Sequence, residues 1–153
     1  MRLILTNCNV IDCVNPDPKA QATVVIEDGR ILEVRDGGPP ASASCDRVID
    51  LEGSYLLPGL WDVHIHPQHP VPAGTTVAQI TADFGQNLMT GMIEAGVTAV
   101  RSGGASNWMD VAWRRAFAGP GPAGPRVFAC GQFLTTTGGH FLTSGHAREC
   151  DGP

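Results

Sequence analysis

The chain has 153 residues, 42% hydrophobic and 16% charged residues and a net charge of −5, a balance that suits about one globular domain. Basic residues do not alternate with aromatic residues in any run, so we expect no nucleic-acid partner. The N-terminus does not have the pattern of a secretory signal, and no apolar run is long enough to span a bilayer, so we expect no membrane attachment.

The cysteines indicate a reducing compartment. There are five of them, an odd number, and no two have the CxxC spacing. We interpret them as free thiols in a cytoplasmic protein, because disulfides are rare in that compartment. A disulfide between Cys8 and Cys13 is the alternative.

The first part of the chain predicts β-structure. Residues 3–12 and 22–36 are rich in aliphatic and β-branched side chains, which favour strands. Asp28 and Gly29 lie between "TVVIE" and "RILEV", a strong signal for a two-residue hairpin turn. Residues 37–46 are a loop by composition, and a short strand and a turn at Glu52-Gly53 lead to the next segment.

The pattern then changes to alternating helices and strands. Thr76 and Gln79 have the spacing of a capping box, and Gly96 is a plausible helix end. Between them the apolar residues recur at three- and four-residue steps: Val77, Ile80, Phe84, Leu88 and Met92. We therefore predict a helix of about twenty residues. A strand over 97–104, a second helix over 107–118 and a third strand over 126–133 follow.

This β-α-β-α-β order predicts an α/β fold with a parallel sheet or barrel. In such folds the functional residues gather at the C-terminal ends of the strands. His64 and His66 lie at such an end, and His140 follows the end of the third strand.

The stretch "PGLWDVHIHP", residues 58–67, carries the strongest chemical signal. In a regular strand, alternate side chains share one face. His64 and His66 would then face the same way as Asp62, with the apolar residues opposite: Trp61, Val63 and Ile65. Two neutral imidazoles can bind one zinc or similar ion, and Asp62 could orient one of them. The alternative is an ordinary pair of half-buried strand histidines.

Other histidines leave further alternatives. His140, in "TTTGGH", is either a substrate contact or a plain loop residue, since its two glycines let the backbone approach a ligand closely. His69 and His146 lie in loop-like sequence and favour solvated side chains. His64, His66 and His69 share the histidine spacing of the HxHxDH motif of metallo-β-lactamase-like hydrolases, but Gln68 replaces its aspartate, so we reject that motif.

Three blocks of the sequence resemble the amidohydrolase superfamily, in particular its imidazolonepropionase-like and prolidase-like members. The blocks are "VIDLEGSYLLPGLWDVHIHP" (48–67), "EAGVTAVRSGG" (94–104) and "GPRVFACGQFLTTTGGH" (124–140). The resemblance implies the first three βα units of a (β/α)8 TIM-type barrel over 58–153, preceded over 1–57 by strands of a small β-sandwich. It implies His64 and His66 as metal ligands and His140 as a substrate contact, while no residue is assigned as catalytic.

The resemblance also implies the activity. Such enzymes use water activated by one or two divalent ions, most often zinc, to hydrolyse a C–N bond in an amide, dipeptide or cyclic amide. Their remaining ligands come from later strands, so we expect an N-terminal fragment that is inactive alone. The alternatives are a non-catalytic remnant and a subunit that completes its barrel with a partner chain or with a second copy.

Overall fold

The computed structural model describes residues 2–38, 47–66, 73–140 and 147–152. Two sequence predictions, a solvated His69 and a solvated His146, fall outside these ranges. The chain divides into two compact units, Met1–Pro58 and Gly59–Pro153. Strands and helices are mixed as the sequence predicts, so the α/β class is confirmed.

The first unit is built on one sheet. Its strands are β1 (Arg2–Val10), β2 (Lys19–Glu27), β3 (Arg30–Asp36), β4 (Arg47–Asp50) and β5 (Tyr55–Leu56). The order is β3-β2-β1-β4, and β5 also pairs with β1. Strand β2 is antiparallel to both β1 and β3, whereas β4 and β5 run parallel to β1.

The predicted hairpin joins β2 to β3. Asp28 and Gly29 have φ angles of 49° and 74°, the left-handed conformations that a tight hairpin turn requires. Cys8 is buried in the core beside Ala22 and Val24, and its thiol donates to the Ala22 carbonyl at 3.2 Å. Burial raises the pKa of the Cys8 thiol, so this thiol stays protonated. All four described cysteines are free, and Cys8 and Cys13 form no disulfide.

The second unit alternates strands and helices. Its elements are β6 (Leu60–Ile65), α1 (Val77–Ala95), β7 (Val97–Ser102), α2 (Met109–Ala118), β8 (Arg126–Phe128), β9 (Phe133–Thr135) and β10 (Ala147–Glu149). Strands β6, β7 and β8 form a parallel sheet in that order, and β9 pairs in parallel with β10. The strand predicted over 126–133 is shorter in the structure, since β8 ends at Phe128 and β9, in a separate sheet, begins only at Phe133.

Helix α1 begins and ends where the sequence predicts. The Thr76 hydroxyl accepts from the Gln79 backbone N–H at 3.3 Å, and the Gln79 side chain accepts from the Thr76 N–H at 2.9 Å. Gly96 ends the helix with a φ of 68°. The buried face of α1, with Phe84 and Leu88, packs on the core side of the sheet. No helix in the described ranges is long and apolar enough to cross a membrane.

Helix α2 begins later than predicted. A short 3-10 helix, Ser106–Trp108, precedes it, and Asn107 and Trp108 have φ angles of 50° and 56°. These left-handed residues turn the chain after β7, so the regular helix starts at Met109 instead of Asn107. Apolar periodicity does not distinguish a 3-10 turn from the first turn of an α-helix.

Asp151 is hydrogen-bonded to Thr137 at the end of the β9–β10 pair, and we predict that these hydrogen bonds are sensitive to acid. Its carboxylate accepts from the Thr137 hydroxyl, and from the Thr137 backbone N–H at 2.7 Å. These two bonds lower the pKa of Asp151. Because the folded pKa is lowered, the stabilisation is complete above the ordinary aspartate pKa of about 3.9 and is lost as pH falls through the lowered value.

An NMR titration of the Thr137 amide tests this prediction. We expect its resonance to move with a midpoint below about 3.9, and we expect no such step in Asp151→Asn. Asp83→Asn, on the exposed side of α1, is the control and should leave the step unchanged. A midpoint at or above the ordinary value would contradict the prediction.

Candidate metal centre

His64 lies in β6 and His66 follows the last residue of that strand, and the two side chains meet at their ring nitrogens. The Nε2 atoms of His64 and His66 are 3.1 Å apart. The ring centroids are 5.0 Å apart, and the rings meet edge to face at 73°. Both residues are exposed, so the paired nitrogens are open to a ligand from solution. The two rings therefore converge at the C-terminal end of β6.

The strict alternation predicted for this strand is wrong. Asp62 pairs with Val100 of β7, whereas Ile65, three residues later, pairs with Ser102. Strand β6 therefore holds one extra residue between these pairs, as in a β-bulge. Because Val100 and Ser102 share a face of β7, Asp62 and Ile65 share a face too, and Ile65 packs against the buried core instead of lying opposite Asp62.

Asp62 contacts the backbone of the histidine strand. Its Oδ1 accepts from the His64 backbone N–H at 3.2 Å. A side-chain acceptor two residues before the donor is typical of an Asx turn, and it supports the irregular backbone at the register shift. In this structure Asp62 thus sets the path of the strand at His64, and the role predicted for it, orienting an imidazole, stays a prediction.

Two cavities border the histidine pair. One, of about 370 Å³, is lined by His64 and His66 together with residues of α1 and β7. The other, of about 320 Å³, extends from His64 along the C-terminal ends of β7 and β8 and is lined by Arg101, Gly103 and Cys130 among others. Arg101 reaches towards β6, where its Nε donates to the Val63 carbonyl at 2.6 Å. The imidazole pair therefore lies between two spaces large enough for small ligands.

His140 is exposed in a turn after β9, and it lines neither of these two cavities. Phe133, at the start of β9, lies beside the pair, with its ring centroid 5.5 Å from that of His66. The role of His140 stays a prediction.

Sequence reasoning missed Gly103 and Asp110. Gly103 lies directly against both imidazoles, and the signal for it was the glycine pair of "VRSGG". Asp110 is fully buried and accepts from the backbone N–H groups of Cys130 and Gly131, which places the loop that borders the smaller cavity. An aspartate in the first turn of a helix is too common to have indicated this role.

The donor set is incomplete in the part of the chain that the structure describes. Within those residues no three His, Cys, Asp or Glu side chains are grouped so that they could hold a metal ion. A catalytic zinc usually has three protein ligands and one open position. The described residues therefore offer two nitrogen ligands and no third.

No protein-family model matches the chain. Among curated proteins it is similar to a D-hydantoinase from Streptomyces coelicolor, with 30% identity over 101 residues, 65% of this chain and 19% of that protein. Its fold matches the crystal structure of a Xaa-Pro dipeptidase with a TM-score of 0.84 and 26% identity, over 100% of this chain and 39% of that one. An amidohydrolase crystal structure matches with a TM-score of 0.75 and 31% identity, over 92% and 34%.

These comparisons confirm the resemblance to the amidohydrolase superfamily, in both sequence and fold. The structural neighbours include prolidase-type and amidohydrolase proteins. The chain spans about a fifth of the hydantoinase and about two fifths of the dipeptidase.

Proposed function

We propose that the chain is part of a metal-dependent amidohydrolase that hydrolyses a C–N bond in a small amide, dipeptide or cyclic amide. The observation that carries the proposal is the 3.1 Å separation of the His64 and His66 Nε2 atoms at the end of a parallel strand. The similarity to a hydantoinase and to a Xaa-Pro dipeptidase supports the bond type and the substrate size.

The spacing of the two nitrogens fits one divalent ion. Imidazole nitrogen is a donor that zinc and similar ions prefer, and the two Nε2 atoms, 3.1 Å apart, are close enough to share one ion. His64 and His66 would hold the ion, most often zinc in such sites. When bound, it would supply a Lewis acid that lowers the pKa of a bound water.

The chain's own groups prepare this chemistry. The same 3.1 Å spacing lets one Nε2–H donate to the other Nε2, so both Nε2 lone pairs are open to an ion only in the tautomer that carries this proton on Nδ1 of the same ring. The Asp62 carboxylate holds the backbone N–H of His64, which limits the ways in which the imidazole can move. We propose that Asp62 orients His64 in this way, and that His140 contacts the substrate.

The exposed side of the β6–β8 sheet supports a larger barrel. One face of this sheet is buried under α1 and α2, while Trp61, Val63 and Phe128 are 57%, 59% and 43% exposed. The rings of Trp61 and Phe128 are 5.3 Å apart. Parallel sheets are normally covered on both faces. We therefore propose that residues 58–153 form the first three βα units of a (β/α)8 barrel, with β6–β8 as its first three strands. We also propose that residues 1–57 form part of a small β-sandwich.

A second candidate is a metal-binding unit without hydrolytic activity of its own. It is favoured by the two nitrogen ligands that the described residues bring together, where catalysis would call for at least three. In that case the chain is either a non-catalytic remnant or a subunit whose metal site is completed by a partner chain.

Zinc binding and hydrolysis by the same chain test both candidates. We expect competition with a chromophoric chelator to show one zinc site, and His64→Ala or His66→Ala to weaken it about a hundredfold. Cys13→Ser, which removes an exposed thiol, controls for adventitious zinc binding and should leave the affinity unchanged.

Turnover of a panel of dipeptides and cyclic amides, lost in His64→Ala, supports the hydrolase. Zinc binding with no turnover on the panel by the chain or by a longer polypeptide that contains it favours the second candidate. Equal zinc affinity in His64→Ala and the unaltered chain would overturn both.

A further inference from the structure

Gly103 is held at the end of the histidine strand. It follows β7 directly, and its backbone N–H donates to the Ile65 carbonyl at 3.0 Å. Ile65 stands between His64 and His66 in the sequence, and its side chain packs against the core. The backbone of Gly103 is therefore fixed beside the two imidazoles and cannot retreat without breaking a hydrogen bond between β7 and β6.

A side chain at position 103 would enter the site. A Cβ built on Gly103 would lie 2.8 Å from Cε1 and 3.0 Å from Nε2 of His66, and 3.1 Å from Nε2 of His64. All three distances are shorter than ordinary van der Waals contacts between carbon and these atoms. A methyl group on residue 103 would therefore occupy the space beside the Nε2 atoms of His64 and His66.

The backbone conformation alone does not require glycine here. The next residue, Gly104, has a φ of 123°, a conformation that only glycine adopts readily. Gly103 lies outside the left-handed region, so an L residue could adopt its backbone angles. What excludes a side chain at this position is the imidazole pair.

We propose that Gly103 is a positioning residue of the metal centre: its missing side chain leaves room for a divalent ion and its water beside both Nε2 atoms. This inference rests on the proposed function. A methyl group at 103 would push the His66 ring away or fill the approach to the nitrogens, and either change would separate two ligands that must share one ion.

The test compares Gly103→Ala with Gly38→Ala in two measurements. Gly38, in the first unit, is the control, because a Cβ there meets no atom within 4 Å and the residue lies outside the left-handed region. We expect Gly103→Ala to weaken zinc binding about tenfold or more and Gly38→Ala to leave it unchanged. Without metal, the imidazole NMR resonances of His64 and His66 should shift in Gly103→Ala and stay in place in Gly38→Ala.

The two readouts separate this inference from the proposed function. Unshifted imidazole resonances in Gly103→Ala, or unaltered zinc affinity, would overturn the role of Gly103. Shifted resonances in a chain that binds no zinc in any form would contradict the metal centre and leave the contact with the imidazoles established.

A second variant covers loss of folding. If Gly103→Ala unfolds the chain because of the clash with His66, the double change Gly103→Ala with His66→Ala should restore the circular dichroism spectrum, since it removes the atoms nearest to the new Cβ. Failure of the double variant to recover would show that the imidazole is not what excludes a side chain at 103, and would overturn the inference.

Discussion

Asp110→Ala is expected to lower the free energy of unfolding by about 3 to 4 kcal/mol. The Asp110 side chain is fully buried. One carboxylate oxygen accepts from the Val111 N–H at 2.8 Å, and the other accepts from Cys130 and Gly131 at 3.0 and 2.9 Å. Its removal leaves three backbone donors without their acceptor, and one of them, the Gly131 N–H, is buried, which costs far more than losing a solvated hydrogen bond.

The loss should be visible first in the loop after β8. The Gly131 carbonyl also accepts from the Ala105 N–H at 2.9 Å, so Asp110 stabilises the loop that follows β8 and, through it, the one that follows β7. Hydrogen exchange at the Cys130 and Gly131 amides should accelerate in Asp110→Ala by more than at the Val100 amide in β7.

Urea unfolding followed by circular dichroism measures the free energy of unfolding. Asp110→Asn keeps the size of the side chain but turns an amide NH₂ towards backbone donors, and should cost about 2 kcal/mol. Asp83→Asn, an exposed change on α1, should stay within about 0.5 kcal/mol of the unaltered chain. A similarly small effect of Asp110→Ala would contradict the importance of the buried carboxylate.

Gly85→Ala is expected to destabilise the second unit by about 2 kcal/mol, although alanine favours helices. A Cβ at Gly85 would lie 2.0 Å from Cζ2 of Trp113. The indole cannot move away freely, because its Nε1 donates to the Thr81 carbonyl at 2.7 Å and its ring lies 5.1 Å from that of Phe117. The clash between α1 and α2 outweighs the gain of about 1 kcal/mol in helix propensity.

Gly91→Ala in the same helix provides the opposite expectation. A Cβ there meets nothing within 4 Å, so only the propensity term remains, and the variant should be more stable by about 1 kcal/mol. Thermal unfolding of the two variants side by side should show a lower melting temperature for Gly85→Ala and a higher one for Gly91→Ala. If Gly85→Ala raised the melting temperature as Gly91→Ala does, the close packing of Trp113 on α1 would be disproved.

Local chemistry explains the parts of the fold that the sequence predicts. The Asp28-Gly29 turn and the capping box of Thr76 and Gln79 depend on residues within four positions of each other. The contact between the ring nitrogens of His64 and His66 is local as well, since the two residues are two positions apart.

Tertiary contacts explain the parts that the sequence does not reveal. The extra residue in β6 exists only relative to its pairing with β7, and an alternation rule assumes regular pairing. Gly103 matters because β7 brings its backbone against imidazoles that lie some forty residues earlier in the chain. The partners of Asp110 likewise come from the loop after β8. A single sequence contains no periodicity that reports such contacts.

The position of β6 in its sheet has a consequence for the behaviour of the chain at high concentration. In the described part of the unit, β6 is an edge strand, and its Leu60, Trp61 and Val63 are exposed. An apolar edge offers unpaired backbone groups to a strand of another molecule, which is a route to aggregation.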